Sequence, residues 1–290
     1  MNQPFFPPSE LILNPDGSVY HLNLKPEHIA ETVIVVGDPD RVSKVSRHFD
    51  RIDHKVSKRE FCTHVGVYKG KPLTVISSGI GTDNVEILMN ELDALVNIDL
   101  QTRSPKSQYT SLQIIRIGTS GVLQPDIALG GHLATQWAIG LDALLCFYGI
   151  ELAALAQALA QSVEQALSLP FTPYCSQGAE ALLGRVGKEM IVGNTLTCCG
   201  FYAPQGRALR MPLRNPNFIE QIRGFSFKQI PDFRLTNFEM ETAAYYIFGQ
   251  TLGHQMLSCN ALVANRATNL FHHNPEKCVD ELIEKVLANL

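Results

Sequence analysis

The sequence has few of the features that mark membrane, exported, nucleic-acid-binding or metal-binding proteins. Only 18% of its 290 residues are charged, the formal net charge is -4, and no long basic run offers a surface for nucleic acid. No apolar run is long enough to cross a bilayer. The first residues lack a cationic start and an apolar stretch, so we expect no signal peptide. We find no internal repeat and no low-complexity segment.

The number and spacing of the cysteines argue against a disulfide framework and against a thiolate metal site. There are seven of them, an odd number, and none stands in the C-x-x-C spacing of a metal site or a redox pair. Cys198 and Cys199 are adjacent, which we interpret as packing within a strand. Reduced thiols in a cytoplasmic protein are the simplest account, and we therefore expect a cytoplasmic location.

What is present is apolar sequence that alternates between strand and helix patterns. The chain is 45% hydrophobic, enough to bury a large core as one big domain or two small ones. Strands are predicted at Thr32–Val36, Phe61–Tyr68, Leu73–Ser77, Gln113–Ile117, Gly130–Ile139, Met190–Cys199 and Met256–Ala264. Helices are predicted from Asp38-Pro39 onward and over Val85–Val96, Ile150–Leu167, Asn237–Gly253 and Glu276–Leu290. This alternation predicts an α/β fold.

Two segments depart from the alternating pattern. Residues 1–19 are rich in proline, and we interpret them as an N-terminal arm that lies on the surface or on a neighbouring subunit. Residues 101–112 are polar and irregular, and we interpret them as an exposed insertion. The remaining residues, 20–290, are expected to form a single domain.

The stretch Ile114–Gly121, IIRIGTSG, organises the candidate chemistry. It predicts a buried strand that ends in a tight turn of Gly118, Thr119, Ser120 and Gly121, where ligands bind in open α/β sheets. Arg116 stands one residue before the last apolar position of that strand, and an arginine there is costly to bury unless it meets an anion. The alternative is that Arg116 pairs with a carboxylate and that the glycines only make a turn.

Other arginines and a second glycine turn strengthen the case for an anion site. Arg41 lies in the first turn of a predicted helix, where a cation opposes the helix dipole unless an anion is bound. Four arginines follow or end a predicted strand: Arg41, Arg116, Arg207 and Arg266. The second turn contains Gly79 and Gly81, and Thr82 or Asp83 is expected to cap the helix after it.

The segment GFYAPQGR carries three side chains that suit a flat heterocycle. Phe201 offers an aromatic face, Gln205 an amide that both donates and accepts, and Arg207 a planar cation. Together they fit a ring that carries carbonyls beside an N–H, although an ordinary polar loop would have the same residues. Glu239 and Glu241 either favour a helix dipole or hydrogen-bond to sugar hydroxyls.

These segments together resemble a known family. GDPDR, KREF, SSGIG, RIGTSG, FYAPQGR, FEMET and ANR occur in the order of the uridine phosphorylases, which belong to the nucleoside phosphorylase family. The resemblance covers roughly residues 20–290. It implies a single-domain three-layer α/β/α fold with a mixed central sheet, of the nucleoside phosphorylase/hydrolase type. Its specific part is the Gln-x-Arg of Gln205 and Arg207, which marks uracil-type bases.

The resemblance also implies a role for each matching position. The phosphate-binding positions are Gly37, Arg41, Arg59, Arg116 and Thr119, with Arg59 reaching the site of a neighbouring subunit. The ribose positions are Glu239, Met240, Glu241 and, across the same interface, His21. The base positions are Phe201, Gln205, Arg207 and Arg266. Arg207, Gln205 and Glu241 are the expected catalytic residues.

The implied activity is phosphorolysis of uridine to uracil and ribose 1-phosphate, for pyrimidine nucleoside salvage, with acceptance of deoxyuridine or thymidine left open. Phosphate is a co-substrate, and neither a metal nor an organic cofactor is expected. Some family members bind a monovalent cation near Glu60 and Ile80, but Asn84 stands here where a serine is expected, so we do not assign that ion. Shared sites imply a homodimer or hexamer.

Two alternatives stay open at the level of sequence. One is a purine nucleoside phosphorylase or a nucleosidase of the same fold, since fold does not decide substrate. Purine members place an aspartate near the end of the final strand, where this chain has Asn265-Arg266. The other is a protein that binds nucleosides without catalysis, which would be expected to have lost some of these residues.

Overall fold

The computed structural model describes residues 5–290, and its contacts divide the chain into two compact units. The first unit takes the chain up to Ile115 together with Leu252–Gln255, and the second takes Arg116–Thr251 and Met256–Leu290. The boundary between Ile115 and Arg116 lies within a strand that begins at Gln113, as predicted, so this strand leads from the first unit into the second. Whether the two units fold as the single domain expected from the sequence stays a prediction.

The first unit is a small mixed sheet with two helices. Its strands are β1 (Thr32–Val36), β2 (Arg51–Lys58), β3 (Phe61–Tyr68), β4 (Lys71–Ser77), β5 (Ile98–Asp99) and β6 (Ser104–Pro105). Its helices are α1 (Pro39–Ser46) and α2 (Thr82–Asn97), with a 3-10 turn at Pro26–His28. The order β1-β4-β3-β2 has one parallel pair, β1 with β4, and two antiparallel pairs, while β5 and β6 form a separate hairpin.

The second unit holds the larger sheet. Its strands are β7 (Gln113–Val122), β8 (His132–Leu141), β9 (Tyr174–Gln177), β10 (Ile191–Cys198), β11 (Asn237–Glu239), β12 (Gln255–Asn265) and β13 (Leu270–Phe271). Its helices are α3 (Ala154–Leu167), α4 (Glu180–Arg185), α5 (Phe218–Gly224), α6 (Thr242–Leu252) and α7 (Pro275–Ala288). Shorter 3-10 turns lie at Leu144–Phe147 and Ala203–Gln205.

Five strands of the second unit close into a ring. They run in the order β12-β8-β10-β11-β7, and β12 also pairs with β7. Parallel pairs join β10 to β8 and to β11, whereas β11 with β7 and β12 with β8 are antiparallel. The mixed α/β class predicted from the sequence is therefore confirmed. Because side chains alternate across each strand, the ring has an inner and an outer face.

Buried polar side chains from all five strands are hydrogen-bonded to one another. They are Arg116 and Ser120 of β7, Thr135 of β8, Thr195 and Thr197 of β10, Asn237 and Glu239 of β11, and Ser258 and Asn260 of β12. A separate apolar core packs around α3, α5 and the phenylalanines Phe225, Phe227, Phe233 and Phe238. The chemistry of the second unit therefore lies on a scaffold held rigid by satisfied hydrogen bonds.

The glycines of IIRIGTSG do not make the predicted turn. β7 runs unbroken to Val122, so the expected strand end at Ile117 is wrong. A Cβ at Gly118 would overlap the Arg116 guanidinium, and a Cβ at Gly121 would lie 2.9 Å from the Phe238 ring. These glycines make room for neighbouring side chains, and Arg116 lies inside the strand instead of at its end.

Several other boundaries differ from the predictions. α2 begins at Thr82 with Gly81 in the N-cap position, so neither Thr82 nor Asp83 is the cap. The segment predicted as one helix from Asn237 starts as strand β11, and α6 begins only at Thr242. α3 begins at Ala154, four residues later than predicted, and β8 is shifted to His132–Leu141. The sequence pattern did not predict β2, β5, β6, β9, β13, α4 or α5.

The two segments set apart in the sequence analysis both belong to the first unit. Residues 1–4 of the expected arm lie outside the described residues. Further along, Phe6 and Leu11 offer carbonyls to the Arg103 side chain, and Val19 is fully buried. Residues 101–111 are exposed or partly exposed, whereas Leu112 is buried. Among the described residues, no helix combines the length and apolar character that a membrane span needs.

We expect the stability of the second unit to fall in mild acid because of His132. This side chain is 9% exposed on β8, and its Nε2 lies 3.0 Å from the Cys278 carbonyl of α7. Burial lowers its pKa from the ordinary 6.5, although the Cys278 bond opposes the shift. In mild acid the unfolded chain therefore binds a proton at His132 that the folded chain does not bind. The free energy of unfolding decreases for this reason as the pH falls below about 6.5.

The measurement is the melting temperature of wild type and His132→Gln between about pH 7.5 and about pH 5.5. Burial also lowers the pKa values of His28 and His64, so the variant should reduce the acid-induced fall without abolishing it. An acid-induced fall of equal size in both proteins would contradict this role for His132.

Candidate active site

A buried arginine between two carboxylates lies at the centre of the second unit. Nη2 of Arg116 lies 2.6 Å from Glu241 Oε2 and 3.1 Å from Glu239 Oε2, and the three side chains are 4%, 8% and 2% exposed. Nη1 of Arg116 donates to Asn260 Oδ1 at 2.9 Å and to Ser258 Oγ at 3.3 Å. The structure therefore brings together one predicted phosphate residue and two predicted ribose residues.

The charges of this cluster favour an ionised arginine. Burial lowers the pKa of Arg116, but the charges of Glu239 and Glu241 raise it by more, so the net shift is upward. Glu239 also accepts the backbone N–H of Glu241 and of Thr242, where α6 begins. A carboxylate at that position complements the helix dipole, which supports the first of the two interpretations that the sequence offered for Glu239 and Glu241.

The predicted base-binding residues form a second cluster. Arg207 Nη1 donates to Gln205 Oε1 at 2.5 Å and to the Phe201 carbonyl at 2.6 Å. The Arg207 guanidinium carbon lies 3.9 Å from the centre of the Phe201 ring. Gln205 is 3% exposed, whereas Phe201 is 51% exposed. A buried amide, a cation and an open aromatic face thus meet in one loop, as the sequence predicts.

Arg266 completes the base cluster. It follows β12 directly and donates through Nη1 to the Gln205 carbonyl at 3.0 Å and through Nη2 to the Gly206 carbonyl at 3.3 Å. Burial and then the nearby Arg266 charge lower the pKa of Arg207, and burial lowers the pKa of Arg266. Two partly buried cations this close favour a ligand that carries or develops negative charge.

Phe238 connects the base cluster to the ring of strands. Its ring centre lies 5.6 Å from the Arg207 guanidinium carbon and 6.0 Å from that of Arg266. The same ring occupies the space that Gly121 leaves open. Its neighbour in β11, Glu239, bonds to Arg116. Adjacent residues of β11 therefore belong to the base cluster and to the cluster of Arg116, Glu239 and Glu241, which we call the ion-pair cluster.

Four of the predicted site residues lie in the first unit. Gly37 follows β1, and a Cβ there would lie 3.5 Å from the Gly79 carbonyl, so the turn after β1 approaches the turn after β4 closely. Arg41 lies in the first turn of α1, whose N-cap Asp38 accepts the Asp40 N–H at 2.9 Å. Arg59 is exposed at the tip of the β2–β3 hairpin, with a left-handed φ of 56°.

The fourth residue, His21, is held in place by a carboxylate of α2. Its Nδ1 lies 2.6 Å from Glu91 Oε1, and Glu91 also accepts the backbone N–H of His21 and of Leu22. The His21 side chain is 27% exposed. In the neutral ring, an Nδ1–H donor leaves Nε2 as an acceptor, which suits a hydroxyl of a ligand.

The last two predicted residues, Thr119 and Met240, belong to the second unit. Thr119 is a partly exposed residue of β7, and partly exposed Met240 separates β11 from α6. The sequence analysis missed Thr197, Phe238, Ser258 and Asn260, which contact the predicted residues directly, and Glu91, which holds His21. Each is an ordinary strand or helix residue whose partner lies far away in the chain, so no local pattern distinguishes it.

Comparison with known proteins decides the family. The family model described as the phosphorylase superfamily matches residues 31–289. The chain belongs to the phosphorylase superfamily. Among curated members, the uridine phosphorylase of Thermococcus kodakarensis is 32% identical over 90% of this chain and 83% of its own length. The uridine phosphorylase of Haemophilus influenzae is 29% identical over 86% of each chain.

Solved structures of the superfamily agree with this assignment. A Trypanosoma brucei nucleoside phosphorylase that shows uridine phosphorylase activity is 27% identical to this chain and superposes with a TM-score of 0.87. The match covers 97% of this chain and all of that protein. The resemblance to the uridine phosphorylases and the nucleoside phosphorylase type of fold, both expected from the sequence motifs, are confirmed.

Proposed function

We propose that this protein is a uridine phosphorylase, a pentosyltransferase that converts uridine and inorganic phosphate into uracil and ribose 1-phosphate. The observation that carries the proposal is the bonded pair of Gln205 and Arg207 against Phe201. This pair presents an amide and a cation to one edge of a flat ring, which complements the carbonyl and N–H groups of uracil. The 32% identity to an archaeal uridine phosphorylase supports the same substrate.

The proposed reaction breaks the bond between the ribose anomeric carbon and the uracil nitrogen. Phosphate attacks that carbon through an oxocarbenium-like state, in the manner of glycoside cleavage, and the bonding electrons leave with uracil. Arg207 and Gln205 stabilise the negative charge on the leaving base most strongly in the transition state, which is what raises the rate. The scheme assigns no metal or organic cofactor.

The ion-pair cluster is assigned to the sugar side of the reaction. Glu241 lies against Arg116 and is the proposed acceptor for ribose hydroxyls, while Arg116 is the proposed cation for phosphate, which it would bind in exchange for contacts to the two glutamates. Gly37, Arg41, Arg59 and Thr119 are the other proposed phosphate residues, and they rest on their positions in the sequence motifs. A cytoplasmic location, supported by seven free cysteines, also stays a prediction.

The purine alternative is disfavoured by the role of Asn265. Its side-chain N–H groups bond to the carbonyls of Gln124 and Ile127, and its Oδ1 accepts the N–H of Ala267 and Thr268. The amide is therefore fully used in holding the turn after β12. An amide, unlike a carboxylic acid, cannot protonate a purine ring, and the hydrogen bonds of Asn265 assign it a structural role instead.

The test of the proposed function is to incubate the protein with uridine in the presence and absence of inorganic phosphate and to identify the sugar product. We expect uracil and ribose 1-phosphate only when phosphate is present. Release of free ribose without phosphate would make the protein a nucleosidase. Binding of uridine without any turnover would support the non-catalytic alternative.

We further propose an oligomer, at least a symmetric dimer, in which Arg59 and His21 serve the partner's site. The exposed hairpin tip that carries Arg59 supports this. Arg59→Ala and Arg207→Ala chains, each nearly inactive alone, should recover activity when co-expressed. The mixed dimer then has one intact site, which predicts up to about 25% of wild-type activity. Activity no greater than the sum of the two variants would contradict sharing.

A further inference from the structure

Thr197, which neither the motifs nor the comparisons single out, connects the first turn of α6 to Glu239 of the ion-pair cluster. It is fully buried near the end of β10. Its hydroxyl accepts the Ala243 N–H of α6 at 2.9 Å and donates to Glu239 Oε1 at 2.6 Å. Because the Ala243 N–H can only donate, the hydroxyl hydrogen is directed at Glu239.

Glu239 is in turn saturated with donors. Its two oxygens accept the Thr197 hydroxyl, the N–H of Glu241 and the N–H of Thr242, and Oε2 forms an ion pair with Arg116 Nη2 at 3.1 Å. An ionised carboxylate has about four acceptor sites, and three hydrogen bonds and the ion pair with Arg116 occupy them. A ribose hydroxyl could bind Glu239 only by displacing one of them, which would leave a buried donor without a partner.

Glu241 depends on this arrangement. It lies two residues after Glu239, its backbone N–H is held by Glu239 at 2.9 Å, and its own carboxylate bonds to Arg116. Thr197 and Glu239 therefore fix both the backbone from which Glu241 projects and one side of the Arg116 guanidinium. Small displacements of such groups are costly, because catalysis depends on their geometry in the transition state.

We propose that Thr197 is a positioning residue that acts through Glu239 to set Glu241 and Arg116, and that Glu239 itself positions these groups instead of binding ribose. The proposal rests on the proposed function for its catalytic consequence. The contacts that carry it lie wholly within the second unit. It predicts that removal of one buried hydroxyl loosens the start of α6 and lowers turnover together.

The test compares Thr197→Val, which keeps the shape and removes the hydroxyl, with Thr197→Ser, which keeps the hydroxyl. We expect Thr197→Val to lower kcat/KM for uridine by about tenfold to a hundredfold, as the loss of a buried partner implies. Thr197→Ser should recover most of that loss. Glu239→Gln, which keeps the shape of the side chain, should reproduce the loss if Thr197→Val fails to fold.

A second readout is amide hydrogen exchange in the free protein, which does not depend on the reaction. Thr197→Val should speed exchange of the Thr242 and Ala243 amides, and Thr197→Ser should leave it slow. Thr195→Val is the matched control, because Thr195 bonds to Thr135 and Asn237 and not to Glu239. That control should leave exchange at α6 unchanged.

The outcomes separate this inference from the proposed function. Wild type that does not cleave uridine with phosphate would refute the function, while the exchange data would still decide the positioning. Wild-type kcat/KM together with slow exchange in Thr197→Val would overturn the inference. Equal losses in Thr197→Val and Thr197→Ser, with exchange unchanged, would also overturn it, because packing and not the hydroxyl would then be responsible.

Discussion

Arg207→Ala is expected to lower kcat for uridine phosphorolysis by about 10²–10³-fold, the usual cost of removing one donor that stabilises transition-state charge. Arg207 bonds to Gln205 and stacks on Phe201, and its charge lies near that of Arg266. In the proposed reaction, Arg207 lies where negative charge appears on the leaving uracil. Because Arg207 belongs to the base cluster and not to the proposed phosphate residues, the KM for phosphate should change little.

The matched control is Arg210→Ala. Arg210 is an exposed arginine three residues further along the same loop, so it tests the loss of one positive charge without loss of the base contact. It should keep kcat close to the wild-type value. Unchanged turnover in Arg207→Ala would show that the base site lies elsewhere, and equal losses in both variants would reduce the effect to general electrostatics.

Arg116→Met is expected to lower the free energy of unfolding by about 3–5 kcal/mol, the range found when one partner of a buried ion pair is removed. Methionine fills much of the space, but Glu239 and Glu241 would then remain buried without the cation between them. Urea unfolding measures the change. Adding Glu241→Gln to Arg116→Met should recover part of it, because one uncompensated charge is removed.

The control for this change is an exposed arginine–carboxylate ion pair with contacts of similar length. Arg234 binds Asp126 through two nitrogens, at 2.9 and 2.7 Å, but the two side chains are 45% and 57% exposed. Water and salt screen such pairs, so Arg234→Met should cost no more than about 1 kcal/mol. Equal costs for Arg116→Met and Arg234→Met would contradict the view that the central cluster is a tightly coupled buried network.

The sequence predicts best those elements whose signal is local. The predicted strand Thr32–Val36 begins and ends at the same residues in the structure. Almost all of its residues are buried, so its sequence is a continuous apolar run. Lys69 and Gly70, which lie between the predicted strands Phe61–Tyr68 and Leu73–Ser77, both have the left-handed φ that a tight hairpin turn needs. The cluster of Phe201, Gln205 and Arg207 was also predictable, because its members lie within seven residues of chain.

The sequence predicts less well wherever the deciding contact joins distant residues. Arg116 and Glu241 are 125 positions apart, so their pairing left no mark on the local pattern. The same limit explains the wrong turn at Gly118–Gly121. Glycine signals either a turn or a close approach, and only the positions of the Arg116 and Phe238 side chains show that close approach applies here.

The central claim is that this phosphorylase acts on uridine, and competition between uridine and inosine tests it most directly. Equal concentrations of both nucleosides are incubated with the wild-type protein and phosphate, and the released bases are separated and quantified. The account predicts that uracil is released and that inosine is spared. Release of hypoxanthine in preference to uracil would contradict the assignment of Gln205 and Arg207 to the base, and with it the proposed function.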